Sequence, residues 1–125
     1  MVIVQARSKR KATGGRYKKQ IILKRKYELG RSPSLIKLET SKKKVIRTKG
    51  GGSKIRLMSA NILNIVGSDG KFKKTKIISV IENSANKNFV RRNIMTKGAI
   101  VETEAGKAKI TNRPGQDGIL NGVLI

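Results

Sequence analysis

Residues 62–82, ILNIVGSDGKFKKTKIISVIE, contain the pattern that decides the fold class. Two runs rich in aliphatic and β-branched residues flank Gly67-Ser68-Asp69-Gly70, a composition typical of a hairpin turn. The second run, Phe72 to Glu82, ends in Ile77-Ile78-Ser79-Val80-Ile81, and this aliphatic cluster predicts a strand that is buried on both faces. The stretch therefore predicts an antiparallel β-hairpin in the middle of the chain.

The β pattern continues on both sides of this hairpin. Upstream, Lys54 to Val66 is expected to form one strand run, with Ile55 and Leu57 on one face and Lys54 and Arg56 on the other. The other expected elements are strands at Lys43–Lys49, Phe89–Arg91, Gly98–Thr103, Lys107–Thr111 and Ile119–Ile125, a tight turn at Glu104-Ala105-Gly106, and loops at Asn83–Asn88 and Arg113–Gly118.

About six short strands, with no long segment of helical periodicity, predict an all-β fold. A small antiparallel β-barrel is the expected arrangement, because closure of the sheet removes its unpaired edges. The β pattern begins near Leu35, so we assign residues 34–125 to the barrel domain.

Residues 1–33 have a different chemistry. Residues 1–27 contain ten Lys or Arg residues and no Asp or Glu, and their few apolar residues follow no core-building period. Such a segment buries too little apolar surface to offset the conformational entropy lost on ordering. We therefore expect residues 1–33 to form an extended basic N-terminal arm that is disordered in the free protein. A low-complexity linker is the alternative.

The charge of the chain restricts its possible partners. With 30 Lys and Arg against 7 Asp and Glu, the 125 residues have a formal net charge of +23. Few globular proteins tolerate that self-repulsion without a polyanion, which could be RNA, DNA, an anionic membrane surface or an acidic protein. A basic surface that serves only solubility is the alternative.

The absence of Cys and His removes several classes of site. Disulfides, thiolate nucleophiles, imidazole bases and the common zinc sites all need these residues. No run approaches the ~20 apolar residues of a membrane span, and the N-terminus does not resemble a signal peptide. The acidic residues do not cluster, and a solvated strand face explains Glu102 and Glu104 better than a catalytic pair does. We expect a cytoplasmic protein with no enzymatic activity, no cofactor, no metal and no membrane partner.

Two clusters in the barrel domain could contact phosphates. In Lys49-Gly50-Gly51-Gly52-Ser53-Lys54, glycine would let backbone N–H groups converge on an anion, although a plain hairpin turn explains the same residues. This segment lacks the Gly-Lys-Ser/Thr ending of a Walker loop. The second cluster consists of basic residues on two expected strands, which could bind phosphate or only face solvent: Lys71, Lys73, Lys74, Lys76, Arg91 and Arg92.

The aromatic residues limit how RNA could be recognised. Tyr17 and Tyr27 lie in the arm, and Phe72 and Phe89 are expected in the core of strands. Proteins that read single strands stack bases on exposed aromatic side chains, and no such platform is expected here. Recognition should therefore rest on phosphate and shape contacts with structured RNA.

Two arm segments, with their spacing, carry a resemblance to a known family. Arg7-Ser8-Lys9-Arg10-Lys11-Ala12-Thr13-Gly14-Gly15-Arg16, followed by Lys24-Arg25-Lys26-Tyr27-Glu28-Leu29-Gly30-Arg31, closely resembles the signature of the eS8 (S8e) family of small-subunit ribosomal proteins. The segments Val80–Asn88 and Val90–Val101 are similar to that family as well. The chain lacks the long insertion of eukaryotic members and so resembles the archaeal form. At Ile21-Ile22-Leu23 it departs from the expected basic pattern, which favours a protein contact there.

By this resemblance, the chain is expected to be a structural constituent of the small ribosomal subunit, in contact with rRNA and neighbouring ribosomal proteins. We also expect the free protein to be a monomer. A chromatin-like DNA-compacting protein and a nuclease are the alternatives from other classes. The expected RNA-binding residues are basic, apart from a Thr-Gly-Gly segment whose glycines would allow close approach of the backbone to phosphate: Arg7, Lys9, Arg10, Lys11, Thr13, Gly14, Gly15, Arg16, Lys18, Lys19, Lys24, Arg25, Lys26, Arg31, Lys49, Lys54, Lys71, Lys73, Arg91 and Arg92.

Overall fold

The computed structural model describes residues 7–18, 25–48, 50–67 and 69–125. The chain divides into two compact units, Met1–Pro33 and Ser34–Ile125. The described part of the first unit contains a short 3₁₀ helix at Lys26–Glu28. The elements of the second unit, in chain order, are β1 (Ile36–Lys37), β2 (Lys42–Arg47), β3 (Ser53–Ser59), β4 (Ile62–Val66), β5 (Phe72–Glu82), α1 (Lys87–Arg91), β6 (Ile94–Met95), β7 (Ile100–Thr103), β8 (Gly106–Ile110), α2 (Pro114–Asp117) and β9 (Asn121–Leu124).

Five strands form a closed barrel in the described part of the chain, in the order β4-β5-β7-β8-β9. Four neighbouring pairs are antiparallel, and β9 closes the ring by pairing with β4 in parallel. One parallel pair is unavoidable, since strand direction cannot alternate all the way around a closed ring with an odd number of strands. The predicted all-β fold with a small barrel is confirmed, as are the tight connections between β4 and β5 and between β7 and β8.

Alternate residues of the barrel strands point inward and form the core. Each large aliphatic side chain contributes about 1.5–3 kcal/mol when it is fully buried. The innermost residues of β4, β5, β7 and β8 therefore supply much of the stability of the second unit: Leu63, Ile65, Ile77, Val80, Val101, Ala108 and Ile110 are all buried.

The other strands form a four-stranded sheet in the order β2-β3-β1-β6. The prediction of a single strand run from Lys54 to Val66 is wrong, because β3 belongs to this sheet and β4 to the barrel. At the junction, the N–H of Ala60 donates to the carbonyl of Lys37 in β1 at 3.1 Å. The next residue, Asn61, accepts from the N–H of Ile77 in β5 at 2.9 Å. Adjacent residues thus pair with two different sheets, and the chain passes from one to the other.

The Ile77–Ile81 cluster is buried on one face only, which corrects the prediction of two buried faces. Ile77 pairs with Thr103 and Ser79 with Glu102, so Ile78 is an extra residue on β5. Such a bulge turns the extra side chain away from the ladder. Ile78 is accordingly 58% exposed, whereas Ile77 and Val80 are buried inside the barrel.

Two short helices replace structure that was expected to be extended or irregular. The expected strand at Phe89–Arg91 belongs to α1, where the Asn86 side chain caps the helix by accepting the N–H of Asn88 at 2.9 Å. The expected loop at Arg113–Gly118 contains α2, which begins at Pro114 and ends before Gly118, whose φ is 72°. Both helices are about one turn long, too short for helical periodicity to show in the sequence.

Candidate nucleic-acid interface

The first basic surface is a small hairpin in the arm. Arg10 and Arg16 form an antiparallel bridge, and the N–H of Lys11 donates to the carbonyl of Gly15 at 2.8 Å. The N–H of Gly14 donates back to the carbonyl of Lys11 at 3.0 Å, and Gly14 has a φ of 83°. A three-residue loop that ends in a left-handed glycine is a common hairpin connection. The Thr-Gly-Gly segment therefore forms a turn that requires glycine at position 14.

Cationic side chains gather around this turn. The guanidinium carbon of Arg7 lies 3.8 Å from the centroid of the Tyr17 ring, and the Lys11 Nζ lies 5.9 Å from it. Both distances fall within the range of a cation–π attraction. The Arg10 guanidinium donates to the carbonyl of Gly14 at 2.9 Å. The hairpin thus brings together four positive charges, counting Arg16, that are spread along the sequence.

The second described segment of the arm, residues 25–33, contains one acidic residue, Glu28, and its carboxylate binds the nearby backbone. The Glu28 carboxylate accepts the backbone N–H of Arg25 at 3.1 Å. The side chains of Arg25, Lys26 and Tyr27 are exposed. Lys18 and Arg31, two further predicted RNA-binding residues, are exposed too. The predicted residues Lys19 and Lys24, and the segment Ile21-Ile22-Leu23, lie outside the described residues.

The Gly-rich segment connects β2 to β3 as a hairpin loop. The N–H of Thr48 donates to the carbonyl of Gly52 at 2.7 Å, and Gly50 and Gly51 have φ values of 86° and 85°. The turn interpretation of these glycines is therefore observed, and phosphate binding stays a prediction. Lys49 lies outside the described residues. Lys54 donates through Nζ to Oε1 of Gln116 at 3.2 Å, so its ammonium lies beside α2.

The β2–β3 hairpin carries further basic residues that our sequence-based selection missed. Lys44 stands directly opposite Arg56, on the same face of the two strands. Like charges in directly opposed positions are destabilising unless a counter-charge compensates them. The signal was present in the sequence, because residues 40–68 contain no acid. The residues missed are Lys42, Lys43, Lys44, Arg47 and Arg56.

The lysines of β5 divide between the two faces of the barrel wall. Lys73 pairs with the buried Ile65 and so has the inward register, although its side chain is exposed at the end of the barrel. Lys74 and Lys76 have the outward register, opposite Asn64 and Ile62. Lys71 precedes the strand in the turn. Of these four lysines, which were predicted to share a strand, the structure therefore places Lys74 and Lys76 on one face of β5.

Arg91 and Arg92 lie elsewhere, at the end of α1 rather than on a strand. Both side chains are exposed. Position near a helix C-terminus is favourable for a cation, so local electrostatics already accounts for part of their placement.

Comparison with known proteins shows how far the resemblance extends. A family model described as Ribosomal protein S8e matches residues 4–125. The chain belongs to the ribosomal protein S8e family. The protein named Small ribosomal subunit protein eS8 of Methanocorpusculum labreanum is 52% identical over 122 residues, which cover 97% of each chain. Proteins of the same name from Methanocella arvoryzae and Methanobrevibacter smithii are 50% identical over 122 residues (97% of each chain) and 56% identical over 103 residues (82% of each chain). The resemblance to the archaeal form is confirmed.

The S8e family match includes both the arm hairpin and the barrel. Within the part of this S8e-family chain that the structure describes, no three Asp or Glu residues lie close enough to hold a metal ion. Among the described helices, none is long and apolar enough to cross a membrane.

The aromatic residues of this S8e-family chain correct two predictions. Phe72 was expected in the core, but it is 80% exposed on the outer face of the barrel. It lies at the start of β5, and its outward register follows from its pairing with Val66. Phe89, also expected in a strand core, is half-buried in α1. The expectation that no aromatic side chain is displayed outside the arm is therefore wrong for Phe72.

Proposed function

We propose that this S8e-family protein is a structural constituent of the small ribosomal subunit, and that it binds rRNA through phosphate-backbone and shape contacts. The observation that carries this proposal is the arm hairpin, where Arg7, Arg10, Lys11 and Arg16 converge in a segment without acids. When RNA phosphates bind, they neutralise these positive charges and relieve the repulsion among them. The release of counterions from the RNA makes the binding favourable. The names of the relatives support the small subunit as the place where this occurs.

The two units have different tasks in this proposal. The arm, residues 1–33, is disordered in the free protein and becomes ordered between RNA helices, where a folded domain does not fit. The barrel domain, residues 34–125, anchors the protein on structured RNA. Its contacts include the predicted residues Lys49, Lys54, Lys71, Lys73, Arg91 and Arg92, and now also the β2–β3 hairpin, where two basic residues, Lys44 and Arg56, stand opposite each other.

The rest of the proposal concerns partners and chemistry. The protein resides in the cytoplasm as part of the ribosome, contacts neighbouring ribosomal proteins, and is a monomer when free. It performs no catalysis, because its contribution is to stabilise the subunit for translation. Gel filtration of the RNA-free protein tests the monomeric state, and a dimer would contradict it.

Co-sedimentation tests the location directly. A tagged copy expressed in an archaeal host should migrate with the small subunit in a sucrose gradient of the cell extract. Migration at the top of the gradient, or with chromosomal DNA, would contradict the proposal.

A competition experiment separates this function from DNA compaction. The purified protein should prefer a folded small-subunit rRNA fragment to a DNA duplex of equal length at each salt concentration tested. Equal affinities would favour a chromatin-like protein, since phosphate charge alone does not distinguish the two. RNA cleavage that depends on a metal ion would instead favour a nuclease.

A further inference from the structure

Phe72 belongs to a row of apolar side chains on the outside of the barrel. It stands opposite Val66 of β4, and Val66 stands opposite Val123 of β9. Paired residues of neighbouring strands share a face, and in an antiparallel pair such as Phe72 and Val66 their Cβ atoms lie about 4.5–5.5 Å apart. Phe72 is 80% exposed and Val123 is 45% exposed, so the row is not covered within this unit. An exposed aromatic ring in a chain with only 3% aromatic residues is a feature that core packing does not explain.

A polar row lies one step along the same strands. Asn121, Asn64 and Lys74 are neighbours on β9, β4 and β5. The Nδ2 of Asn64 donates to the Oδ1 of Asn121 at 3.1 Å. Among the described residues, the Oδ1 of Asn64 and the Nδ2 of Asn121 have no hydrogen-bond partner, and neither atom is buried. One acceptor and one donor therefore stand side by side next to the apolar row.

The charges around these two rows are positive. Lys74 ends the polar row, and Lys109 of β8 stands opposite Val123 at the end of the apolar row. Lys73 lines the same surface depression, whose volume is about 560 Å³. Among the described residues, these three lysines have no ion-pair partner, and no acidic side chain lines the depression.

We propose that this face binds one unpaired RNA base, and we name it the Phe72 platform, consisting of Asn64, Val66, Phe72, Lys74, Asn121 and Val123. This inference rests on the proposed function, since it assumes that the protein binds RNA. The base stacks on the ring of Phe72. The free Oδ1 of Asn64 accepts a hydrogen bond from the amino group of an adenine, and the free Nδ2 of Asn121 donates to a ring nitrogen on the same edge. A single asparagine commonly presents the same acceptor and donor to adenine. Lys74 and Lys109 bind the flanking phosphates.

The chemistry of the platform favours RNA over a protein partner. Binding pockets for small ligands measure about 300–1,000 Å³, so the depression suffices for a nucleotide. The centre of a protein–protein interface is depleted in lysine, whereas lysines surround Phe72 on this face. An aromatic ring beside positive charge is the combination that binds unstacked bases.

Two RNA hairpins that differ by one base test the proposal. The first carries a single bulged adenosine, and the second carries an abasic ribose at the same position, so both have the same phosphates. The wild-type protein should bind the adenosine bulge about 5- to 150-fold more tightly than the abasic bulge, the range expected for one base stacked on an aromatic ring. Phe72→Ala should remove this ratio, and Phe72→Tyr should preserve it. Ile78→Ala, which alters another exposed apolar residue of the barrel, is the matched control and should also preserve it.

The outcomes separate the platform from the proposed function. Equal binding of the two hairpins, still sensitive to salt, would overturn the platform and leave the proposed function standing. No salt-dependent binding of either hairpin would contradict both. If Phe72→Ala kept the ratio but lost co-sedimentation with the small subunit, the occupant would be a protein and the platform proposal would be wrong. Equal binding of the two hairpins by the wild-type protein overturns the platform without any variant, so the proposal can be refuted even if Phe72→Ala folds poorly.

Discussion

The arm and the barrel domain are held in their conformations by different forces. Among the described residues of the arm, none is buried, and its order comes from a glycine turn, a few hydrogen bonds and cations around Tyr17. In the barrel, side chains such as Leu63 and Val101 are completely removed from solvent. An isolated hairpin is only marginally stable in water, whereas the burial of apolar surface stabilises a domain cooperatively. The two regions should therefore respond differently to substitution, truncation and salt.

The largest effect is expected from a charge placed inside the barrel. Val101 has no solvent exposure, so Val101→Asp should unfold the domain, because an unpaired buried charge costs several kcal/mol, comparable with the whole stability of a small domain. From the sequence alone, Ile78→Asp is expected to be equally severe. The bulge places Ile78 outside, and we now expect Ile78→Asp to melt close to the wild-type temperature. Thermal unfolding followed by circular dichroism checks both variants; similar melting of the two would refute the assigned strand register.

This pair of residues shows what the sequence could and could not determine. Hydrophobic runs and turn residues were sufficient to predict an all-β barrel, because a strand with a buried face has a local pattern. The bulge at Ile78 and the passage between sheets at Ala60 depend on which strands become neighbours. That choice is made by non-local pairing, which no local pattern encodes.

Some residues of the candidate site could also be predicted from the sequence, and others could not. The arm residues could be predicted because an excess of charge is visible in composition alone. The opposed Lys44 and Arg56, and the exposure of Phe72, depend on cross-strand register. An aromatic residue in a strand is usually packed, and only the pairing of Phe72 with Val66 places it outside. Functional residues that are exposed on a sheet are thus the hardest to identify before the register of its strands is known.

Truncation of the arm should have the next largest effect, on RNA binding rather than on folding. Deleting residues 1–27 removes ten positive charges and no negative ones. Each Lys or Arg lost from a phosphate contact lowers the log–log salt slope by about 0.7–0.9, and not every arm residue needs to touch phosphate. The slope should therefore fall by roughly three to six units. Affinity for a small-subunit rRNA fragment across a salt series provides the measurement, and an unchanged slope would show that the barrel dominates binding.

The same comparison predicts different dynamics in the free protein. The arm hairpin lacks buried contacts, so we expect it to form and break rapidly without RNA. Backbone order parameters of residues 7–18 should fall below about 0.6, whereas those of β3 should be near 0.85. Nitrogen-15 relaxation measures both segments in one sample. An arm as rigid as β3 would contradict the proposal that it is disordered when free.

A smaller effect on stability is expected at a glycine in the barrel wall. A Cβ at Gly122 would lie 2.8 Å from the backbone oxygen of Lys109 and 3.3 Å from a methyl carbon of Leu63. Since the backbone cannot yield easily, Gly122→Ala should cost about 1–3 kcal/mol, as overpacking of a core does. Gly67→Ala is the matched control, because nothing lies within 4 Å of its Cβ position. Equal denaturation midpoints for the two variants would contradict the tight packing at Gly122.

The smallest effect, and the most informative about the arm, should come from its two adjacent glycines. Gly14 has a φ of 83°, where a side chain costs about 1–2 kcal/mol. Gly15 does not have a positive φ, and a Cβ there would make only an ordinary contact, 3.8 Å from the hydroxyl oxygen of Thr13. If the turn forms only on RNA, the strain of Gly14→Val falls entirely on the bound state. Affinity should then drop by about 5- to 30-fold with an unchanged salt slope.

The matched variants separate strain, steric exclusion and charge in this turn. Lys9→Ala should lower the salt slope by about 0.7–0.9 and reduce affinity less than Gly14→Val does. Gly15→Val should weaken binding only if a phosphate approaches the backbone at that residue, since a Cβ at Gly15 meets nothing closer than the Thr13 hydroxyl oxygen at 3.8 Å. If the Gly14→Val variant bound RNA with wild-type affinity, the turn would be formed equally in the free and the bound protein, or would be absent from both states. A greater loss for Gly15→Val than for Gly14→Val would assign the function of the glycine pair to close approach of RNA rather than to the turn.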